Sequence, residues 1–335
     1  MAFLELFRGN KFLNLSAYFR YYSRLDRHPR YWHALFLIFS FTYRRFNNFA
    51  SFSRFVYANS KSIGLLDSSS SPLPGIEVLI VCAPKDFVIL PDCINAVVRN
   101  SLNPIERLSV VVPNASVLGC RESIHSSPHN SEVYVLPESD FLADSDVAKL
   151  KHNFGEKYGW VLQQFLTVSF CLKSESFGVL AVNADTILIR PQAWVDTNSS
   201  QLLMVSNEYH EPYYSLLKRL NPMLIVRTKE TFITHHMLFQ PRFLREFCLG
   251  INTPDISTFL TRVLEFTDYS VVSPICIEFE FYAQHMINFY PEVVQLRRFS
   301  NISVPRIQDF PIRNIVDAYT SSGLYNSISM HSWMD

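Results

Sequence analysis

Apolar and polar positions along this chain form blocks that predict strands and helices in alternation. Apolar runs of strand length occupy residues 76–82, 108–112, 132–136 and 178–182. Stretches with helical periodicity lie between them, at 86–99 and 159–172. Because strands that alternate with helices build parallel sheets covered by helices, the pattern predicts an α/β fold with a mainly parallel central sheet.

The segment 180–190 interrupts this pattern with a polar step. A first apolar run ends at Asn183-Ala184-Asp185, and a second apolar run follows. A buried strand that stops at an acidic residue places the carboxylate at the carboxyl edge of the sheet, where open α/β sheets bind ligands. Asp185 is suited to coordinate Mg²⁺ or Mn²⁺, and Asn183 offers a weaker neutral oxygen or a contact to a ribose. A simple turn accounts for the same three residues equally well.

The composition is that of a globular chain with a sizeable core. Its 335 residues suffice for one large α/β domain or two smaller ones, and 48% hydrophobic against 18% charged residues excludes global disorder. Six cysteines are scattered without metal-binding spacing, which favours buried thiols and a reduced, cytosolic compartment. The absence of G-x-G-x-x-G and G-x-x-x-x-G-K-[ST] segments argues against a dinucleotide oxidoreductase and a P-loop enzyme.

The N-terminal arm, residues 1–67, differs from the rest of the chain in charge and aromatic content. Residues 1–61 hold ten Lys or Arg against two acidic residues, together with 18 aromatic residues, and the remainder has an excess of eight acidic charges. Interleaved basic and aromatic residues suit an anionic membrane surface and, equally, a helical arm packed on the following domain. Nucleic acid is a poorer partner because the rest of the chain is acidic.

A Ser/Pro/Gly-rich linker at 68–75 separates the arm from a domain at 76–335. The longest apolar run of the arm, 34–41, is far shorter than the ~20 residues of a membrane-spanning helix, and no cleavable signal pattern is visible. These features predict a cytoplasmic protein. Peripheral attachment to the inner face of the membrane through the arm is a further hypothesis.

Two further segments carry polar side chains of interest. Lys85 and Asp86 follow the first strand, where a carboxylate is able to bind a ribose or base, or merely to cap the next turn or helix. His235 and His236 lie in a run of extended character. Adjacent residues of a strand point to opposite faces, so at most one of these histidines enters a given site. A hydrogen-bonded structural role is the more common one for either.

The helix at 159–172 places Trp160, Gln164 and Thr167 near one face, with Gln163 offset from it. An amide beside an apolar helix face is able to hydrogen-bond a sugar or a base. An ordinary helix surface is the commoner explanation of this pattern.

The C-terminal part of the chain contributes two candidates. Around Glu278 and Glu280 the sequence favours a helix, which turns one carboxylate inward, where apolar neighbours raise its pKa toward that of a general base, and leaves the other on a solvated face. Near the end of the sequence, His331 is a candidate metal ligand, although a frayed tail is the default expectation there.

In this order, the segments resemble a family of bacterial glycosyltransferases of the GT-A fold, which use nucleotide-sugar donors. The resemblance covers roughly residues 76–335 and excludes the arm. It rests on six segments: Pro84-Lys85-Asp86, Gly159-Trp160-x-x-Gln163-Gln164-Phe165, Asn183-Ala184-Asp185-Thr186, Thr234-His235-His236-Met237-Leu238-Phe239, Glu278-Phe279-Glu280-Phe281-Tyr282 and Ser329-Met330-His331-Ser332-Trp333. Each segment is short, and the ordered set is far more specific than any member.

The resemblance implies transfer of a sugar from a nucleotide-sugar donor to a hydroxyl of a glycan or glycolipid acceptor, in the synthesis of surface polysaccharide or glycoconjugates. It implies a divalent cation, Mg²⁺ or Mn²⁺, held by Asp185 and His331. In inverting members the carboxylate at the position of Glu278 deprotonates the acceptor; in a retaining enzyme Glu278 would lose that role. The residues expected to contact the nucleotide sugar are Lys85, Asp86, Gln164, Asn183 and His236.

Two positions depart from the family pattern. Asn183 stands where an Asp is expected, and Phe279 stands where a Tyr is expected. The first departure favours an alternative in which the domain binds nucleotide or glycan without turnover. A nucleotidyltransferase is a further alternative, because it also uses a strand-end carboxylate with Mg²⁺, but it requires a second acidic ligand that the sequence does not place.

Overall fold

The computed structural model describes residues 72–125, 132–206, 210–225, 231–271, 275–305, 312–322 and 325–331. The predicted arm at 1–67 and the first part of the linker, 68–71, lie outside these ranges. Within the described ranges, no helix combines the length and hydropathy that crossing a bilayer requires.

A five-stranded sheet forms the centre of the domain. The strands are β1 (Ile76–Val81), β2 (Ile105–Val112), β3 (Val133–Pro137), β4 (Val179–Asn183), β5 (Thr186–Leu188), β6 (Gln201–Val205), β7 (His236–Phe239), β8 (Val294–Arg298), β9 (Asn301–Pro305) and β10 (Ser327–His331). The central sheet has the order β3-β2-β1-β4-β7. Its first four strands are parallel, and β7 runs antiparallel to β4. The prediction of a mainly parallel central sheet is therefore confirmed.

Helices cover both faces of this sheet, as the α/β class requires. They are α1 (Leu90–Asn100), α2 (Val117–His125), α3 (Asp144–Phe154), α4 (Tyr158–Lys173), α5 (Glu211–Leu220), α6 (Pro241–Gly250), α7 (Ile256–Phe266), α8 (Phe279–Phe289) and α9 (Ile312–Ser322). The helix expected from residue 86 begins only at Leu90, after a 3₁₀ turn at Pro84–Asp86. Pro91 explains the later start, because a proline is tolerated in the first helical turn but not further inside a helix.

Alternate residues of the central strands enter two separate cores. Leu79 and Val111 pack with Phe165 of α4 on one face of the sheet, whereas Ile80 and Val110 pack with Val97 of α1 on the other. Burial on both faces explains why the parallel strands are continuous apolar runs rather than alternating ones. The sheet is thereby fixed between helices, and only its edges are open to ligands.

Two smaller sheets complete the carboxyl edge. One has the order β5-β10-β9, with β10 antiparallel to β5 and parallel to β9, and the other pairs β6 with β8. In the first, Ser329 is opposite Thr186, and the backbone N–H of Met330 donates to the carbonyl of Asp185 at 2.8 Å. The last described strand is thus held beside the polar step that follows β4.

Asn103 ties the end of the linker to the sheet and is almost fully buried. Its Nδ2 donates to the carbonyls of Pro74 and Val195, and its Oδ1 accepts from the backbone N–H of Trp194.

Replacing Asn103 with alanine leaves these backbone groups without partners in a dry environment. We expect Asn103→Ala to lower the free energy of unfolding by about 2–4 kcal/mol, measured by urea denaturation. Asn153→Ala, at an exposed position with one bond to Lys149, is the control and should change it by less than about 0.5 kcal/mol. Equal losses of unfolding free energy in both variants would contradict the conclusion that the buried hydrogen bonds of Asn103 stabilise the fold.

Candidate functional site

Asp185 and His331 meet at the carboxyl edge of the sheet, although 146 positions separate them along the chain. Asp185 lies in the turn between β4 and β5, and His331 ends β10, the strand paired with β5. Nδ1 of His331 is 3.0 Å from Oδ2 of Asp185, and Nε2 of His331 is 3.3 Å from the hydroxyl of Ser303. Both side chains are largely buried. The two residues predicted as metal ligands are therefore brought together.

The carboxylate of Asp185 is the type of ligand that a hard divalent cation prefers, and the imidazole of His331 adds a softer nitrogen ligand. Ligand atoms at 2.0–2.1 Å from an octahedral Mg²⁺ lie about 3 Å apart when they are neighbours, which matches the separation of Oδ2 and Nδ1. The same distance also suits a hydrogen bond between the two groups. Among the described residues, no group of three or more His, Cys, Asp or Glu side chains is placed to hold a metal ion. Two protein ligands are nevertheless sufficient for Mg²⁺ that shares its shell with water and substrate phosphates.

Asn183, the last residue of β4, has both ends of its amide bound by neighbours. Its Oδ1 accepts a hydrogen bond from Nε2 of Gln163 at 3.0 Å, and its Nδ2 lies 3.3 Å from Nδ1 of His235. Its backbone N–H also donates to the carbonyl of His235 at 2.9 Å. The amide therefore connects α4 to the segment that leads into β7. The side-chain oxygen Oδ1 of Asn183 retains one lone pair for another contact.

The two glutamines of α4 have different surroundings. Gln164 is buried, where its Oε1 accepts from the backbone N–H of Ile277 at 2.8 Å and its Nε2 donates to the carbonyl of Trp160. Gln164 thereby fixes the backbone directly before Glu278. Gln163 contacts Asn183, and the contact of Gln164 with a nucleotide sugar stays a prediction. The sequence does carry a signal for Gln163: it lies four positions before Thr167, and residues at that spacing share a helix face.

The adjacent histidines point to opposite faces, as expected of extended backbone. His236 is buried in β7, and Nε1 of Trp194 donates to its Nδ1 at 3.2 Å. Burial lowers the pKa of His236 to about 3, with neighbouring His235 as a smaller cause. His235 contacts Asn183, and its ring centroid lies 5.1 Å from that of His331. The contact of His236 with a nucleotide sugar stays a prediction.

Glu278 is a buried carboxylate directly before the first turn of α8, where it is 6% exposed. Burial raises its pKa to about 7, and the adjacent Thr167 side chain, whose hydroxyl donates to the carbonyl of Gln163 at 3.0 Å, is a smaller, opposing cause. Its Oε2 is buried and has no hydrogen-bond partner among the described residues. A carboxylate with a pKa near neutrality and an uncommitted oxygen has the properties of a general base.

Glu280, which the sequence placed on a solvated face, is fully buried. Its Oε2 accepts from the Thr231 hydroxyl and from the backbone N–H of Phe232, each at 2.9 Å, and its Oε1 accepts from Nε2 of Gln284. The expectation of solvation was wrong because these partners are distant in sequence. With its oxygens engaged, Glu280 anchors the segment before β7 to α8.

One face of α4 links the sheet edge to Glu278. Gln163 contacts Asn183, and Thr167, four positions later, contacts Glu278. Residues four apart are neighbours on a helix surface, with about 5–6 Å between their Cβ atoms. The strand-end amide and the carboxylate of raised pKa therefore lie along one side of the same helix.

Lys85 and Asp86 lie at the same edge, in the 3₁₀ turn that follows β1. β1 pairs directly with β4, with Val81 opposite Asn183. Lys85 is exposed and Asp86 is half-buried. Neither the turn nor α1 begins with a side-chain cap, so the capping role considered for Asp86 is not observed there. The predicted contact of this loop with a nucleotide remains a prediction.

One cysteine lies beside this cluster: Sγ of Cys93 donates to the backbone carbonyl of Asn183 at 3.7 Å. All six cysteines are buried and outside disulfide bonds, as expected for Cys82 from its strand-like surroundings. Burial raises the pKa of the Cys171 and Cys276 thiols, and the charge of nearby Glu278 is a further cause. They are neutral, inert side chains.

No protein-family model matches the sequence, and no curated protein matches it either. Among solved structures, mouse xyloside xylosyltransferase 1 in its apo form aligns with 78% of this chain and 99% of its own, at 11% identity and a TM-score of 0.43. The apo bifunctional glycosyltransferase WbbM aligns with 79% of this chain at 13% identity and a TM-score of 0.36, and the alignment spans 47% of its own length. At these values the likeness carries no argument about activity, which must come from the residues themselves.

The raised pKa of Glu278 has a consequence for stability. The folded state holds the Glu278 proton up to about pH 7, whereas the unfolded chain releases it near 4.5, so Glu278 costs stability as the pH rises through this interval. We expect Glu278→Gln to be about 2.5 kcal/mol more favourable relative to wild type at pH 8 than at pH 5. Urea denaturation at both pH values measures this difference. Glu156→Gln, at an exposed position, should show no such pH-dependent gain, and a parallel pair of pH profiles for wild type and Glu278→Gln would refute the shift.

Proposed function

We propose that this chain is a glycosyltransferase that moves a sugar from a nucleotide-sugar donor to a hydroxyl of a glycan or glycolipid acceptor. The observation that supports this most strongly is the Asp185–His331 pair at the sheet edge. Glu278, whose pKa is raised to about 7, lies further along the same face of α4 that contacts Asn183. The Asp185–His331 pair is suited to a diphosphate-bound cation, and Glu278 is suited to an acceptor hydroxyl. A role in surface polysaccharide or glycoconjugate synthesis, with the basic arm on a membrane surface, belongs to the same proposal.

On the donor side, Asp185 Oδ2 and His331 Nδ1 would hold Mg²⁺ or Mn²⁺. When bound, such a cation neutralises the charge that develops on a nucleoside diphosphate leaving group. Ser303 beside Nε2 of His331 orients the imidazole ring, and Asn183 is oriented by Gln163 and His235. The ammonium group of Lys85, at the end of β1, is suited to a phosphate.

On the acceptor side, Glu278 takes the proton of the attacking hydroxyl. The oxygen of that hydroxyl forms the new bond to the anomeric carbon while the bond to the nucleoside diphosphate breaks, and the proton remains on Glu278. Because the carboxylate is buried, water competes poorly for the same position. With Glu278 as base the displacement inverts the anomeric centre; a retaining enzyme would not use it in this way.

The first test addresses Asp185. Wild-type protein is incubated with a panel of nucleotide sugars and Mn²⁺, and release of nucleoside diphosphate is measured. Asp185→Asn keeps the size of the side chain but removes its charge, so we expect at least a hundredfold loss of release. Asp144→Asn, at an exposed position at the start of α3, is the control and should retain full activity. Wild-type turnover in Asp185→Asn would exclude the metal assignment, and nucleotide binding without release by the wild type would favour a domain that binds without turnover.

The second test addresses Glu278. We expect kcat of the wild type to rise with pH through about 7, as the carboxylate ionises and becomes able to accept a proton. Glu278→Gln should lose about 10²- to 10⁴-fold in kcat and lose this pH dependence, with little change in the binding of the donor. Steady-state kinetics from pH 5.5 to 8.5 measure both. If the variant keeps the wild-type profile, Glu278 is not the base.

A further inference from the structure

Trp160 forms the outer end of the α4 face that lines the candidate site. It lies in the first turn of the helix and is 41% exposed. Gln163, three positions later, contacts Asn183, and Thr167, seven positions later, contacts Glu278. Residues at these spacings lie on one side of a helix. The face therefore runs from an exposed aromatic ring, past a polar amide, to the buried carboxylate.

The surroundings of Trp160 contrast with those of Trp194. Trp194 is buried, and its indole N–H donates to His236. Among the described residues, the indole of Trp160 has no hydrogen bond, ring contact or cation partner. An exposed tryptophan offers a flat apolar surface and one hydrogen-bond donor at its edge, a combination that is frequent at binding surfaces.

We propose that Trp160 is a stacking platform for a pyranose ring of the acceptor glycan. One face of a pyranose is a patch of C–H groups that packs on an aromatic ring, and the hydroxyls at its rim accept hydrogen bonds from an indole N–H. The inference rests on the proposed function, since the α4 face ends at the carboxylate assigned to the acceptor hydroxyl. The loop expected to contact the nucleotide follows a different element, β1.

The length of this face also defines the acceptor class. Seven residues of α-helix, from Trp160 to Thr167, correspond to about 10 Å along the axis. This is more than one pyranose ring spans. The ring on Trp160 is therefore not the one whose hydroxyl reaches Glu278 but a neighbouring unit, so the acceptor is an oligosaccharide of at least two sugars.

The direct test is a binding experiment on the full-length protein labelled with 5-fluorotryptophan. The ¹⁹F signal of Trp160 is assigned by its loss in Trp160→Phe, and the signal of buried Trp194 is the internal control. The probes are methyl glycosides of single sugars, the disaccharides maltose, cellobiose and lactose, and nucleoside diphosphates with Mg²⁺. We expect the Trp160 signal to shift with at least one disaccharide and not with the nucleotides. A shift with nucleotides only would make Trp160 a platform for the donor base, and no shift with any probe would equally overturn the proposal.

A kinetic test separates this inference from the function itself. Loss of the stacking surface in Trp160→Ala should raise the KM for a disaccharide acceptor up to about tenfold, which corresponds to about 1.4 kcal/mol. Trp160→Phe should restore most of the affinity, and Leu249→Ala, at an exposed position on α6, should change nothing. Leu249→Ala should also hydrolyse the donor without acceptor at the wild-type rate. If all variants turn over with an unchanged KM for the acceptor, the inference about Trp160 is overturned and the proposed function stands. If the ¹⁹F signal of Trp160 shifts with a disaccharide but no variant turns over, the inference stands and the proposed function is overturned.

Discussion

The antiparallel pairing of β5 with β10 is the constraint on which the candidate site depends. It brings His331 next to Asp185, which lies 146 positions earlier in the sequence. The backbone hydrogen bond from the N–H of Met330 to the carbonyl of Asp185 fixes how closely the two residues approach. Pairing of β10 with β9 on its other side supplies Ser303 to the imidazole. Because successive strand residues face opposite ways, a slip of one residue in this ladder would turn His331 away from Asp185. The chemistry at this edge is therefore a property of strand register more than of any local motif.

α4 connects this edge to the rest of the domain, and it is at once a core helix and a wall of the site. Phe165 and Val161 are buried against the sheet and neighbouring helices, while Gln163 and Thr167 are turned to Asn183 and Glu278. The same packing that excludes water from Glu278 raises its pKa. Above neutral pH Glu278 therefore lowers the stability of the folded state, because it is then a buried charge with an uncommitted oxygen.

Much of the fold follows from local pattern, whereas the partners of the site residues do not. Parallel strands buried on both faces are continuous apolar runs, so β1 and β4 were predicted to within one residue at each end, although β2 begins three residues before its apolar run, at Ile105. In α4 and at the start of β7, the pattern does not tell which of two adjacent polar residues lies beside Asn183; in the structure these are Gln163 and His235. A single position rotates a side chain by about 100° in a helix and 180° in a strand, and the neighbours that decide which one is buried come from elsewhere in the chain. Glu280 shows the same limit, because its partners Thr231 and Phe232 are some fifty residues away.

The hydrogen bonds of Asn183 give a different meaning to its departure from an aspartate. The amide of Asn183 is oriented with Oδ1 toward Nε2 of Gln163, which donates, and with Nδ2 toward Nδ1 of His235, which accepts in the tautomer that carries its proton on Nε2. With that tautomer, the position requires one group that both accepts and donates. A carboxylate accepts only, and it would face the Nδ1 lone pair of a neutral imidazole unless His235 changed tautomer or gained a proton. The amide instead suits the tautomer of His235 that carries its proton on Nε2. In this surrounding, asparagine is the side chain that matches both partners, and the apparent defect in the motif is a complementary fit.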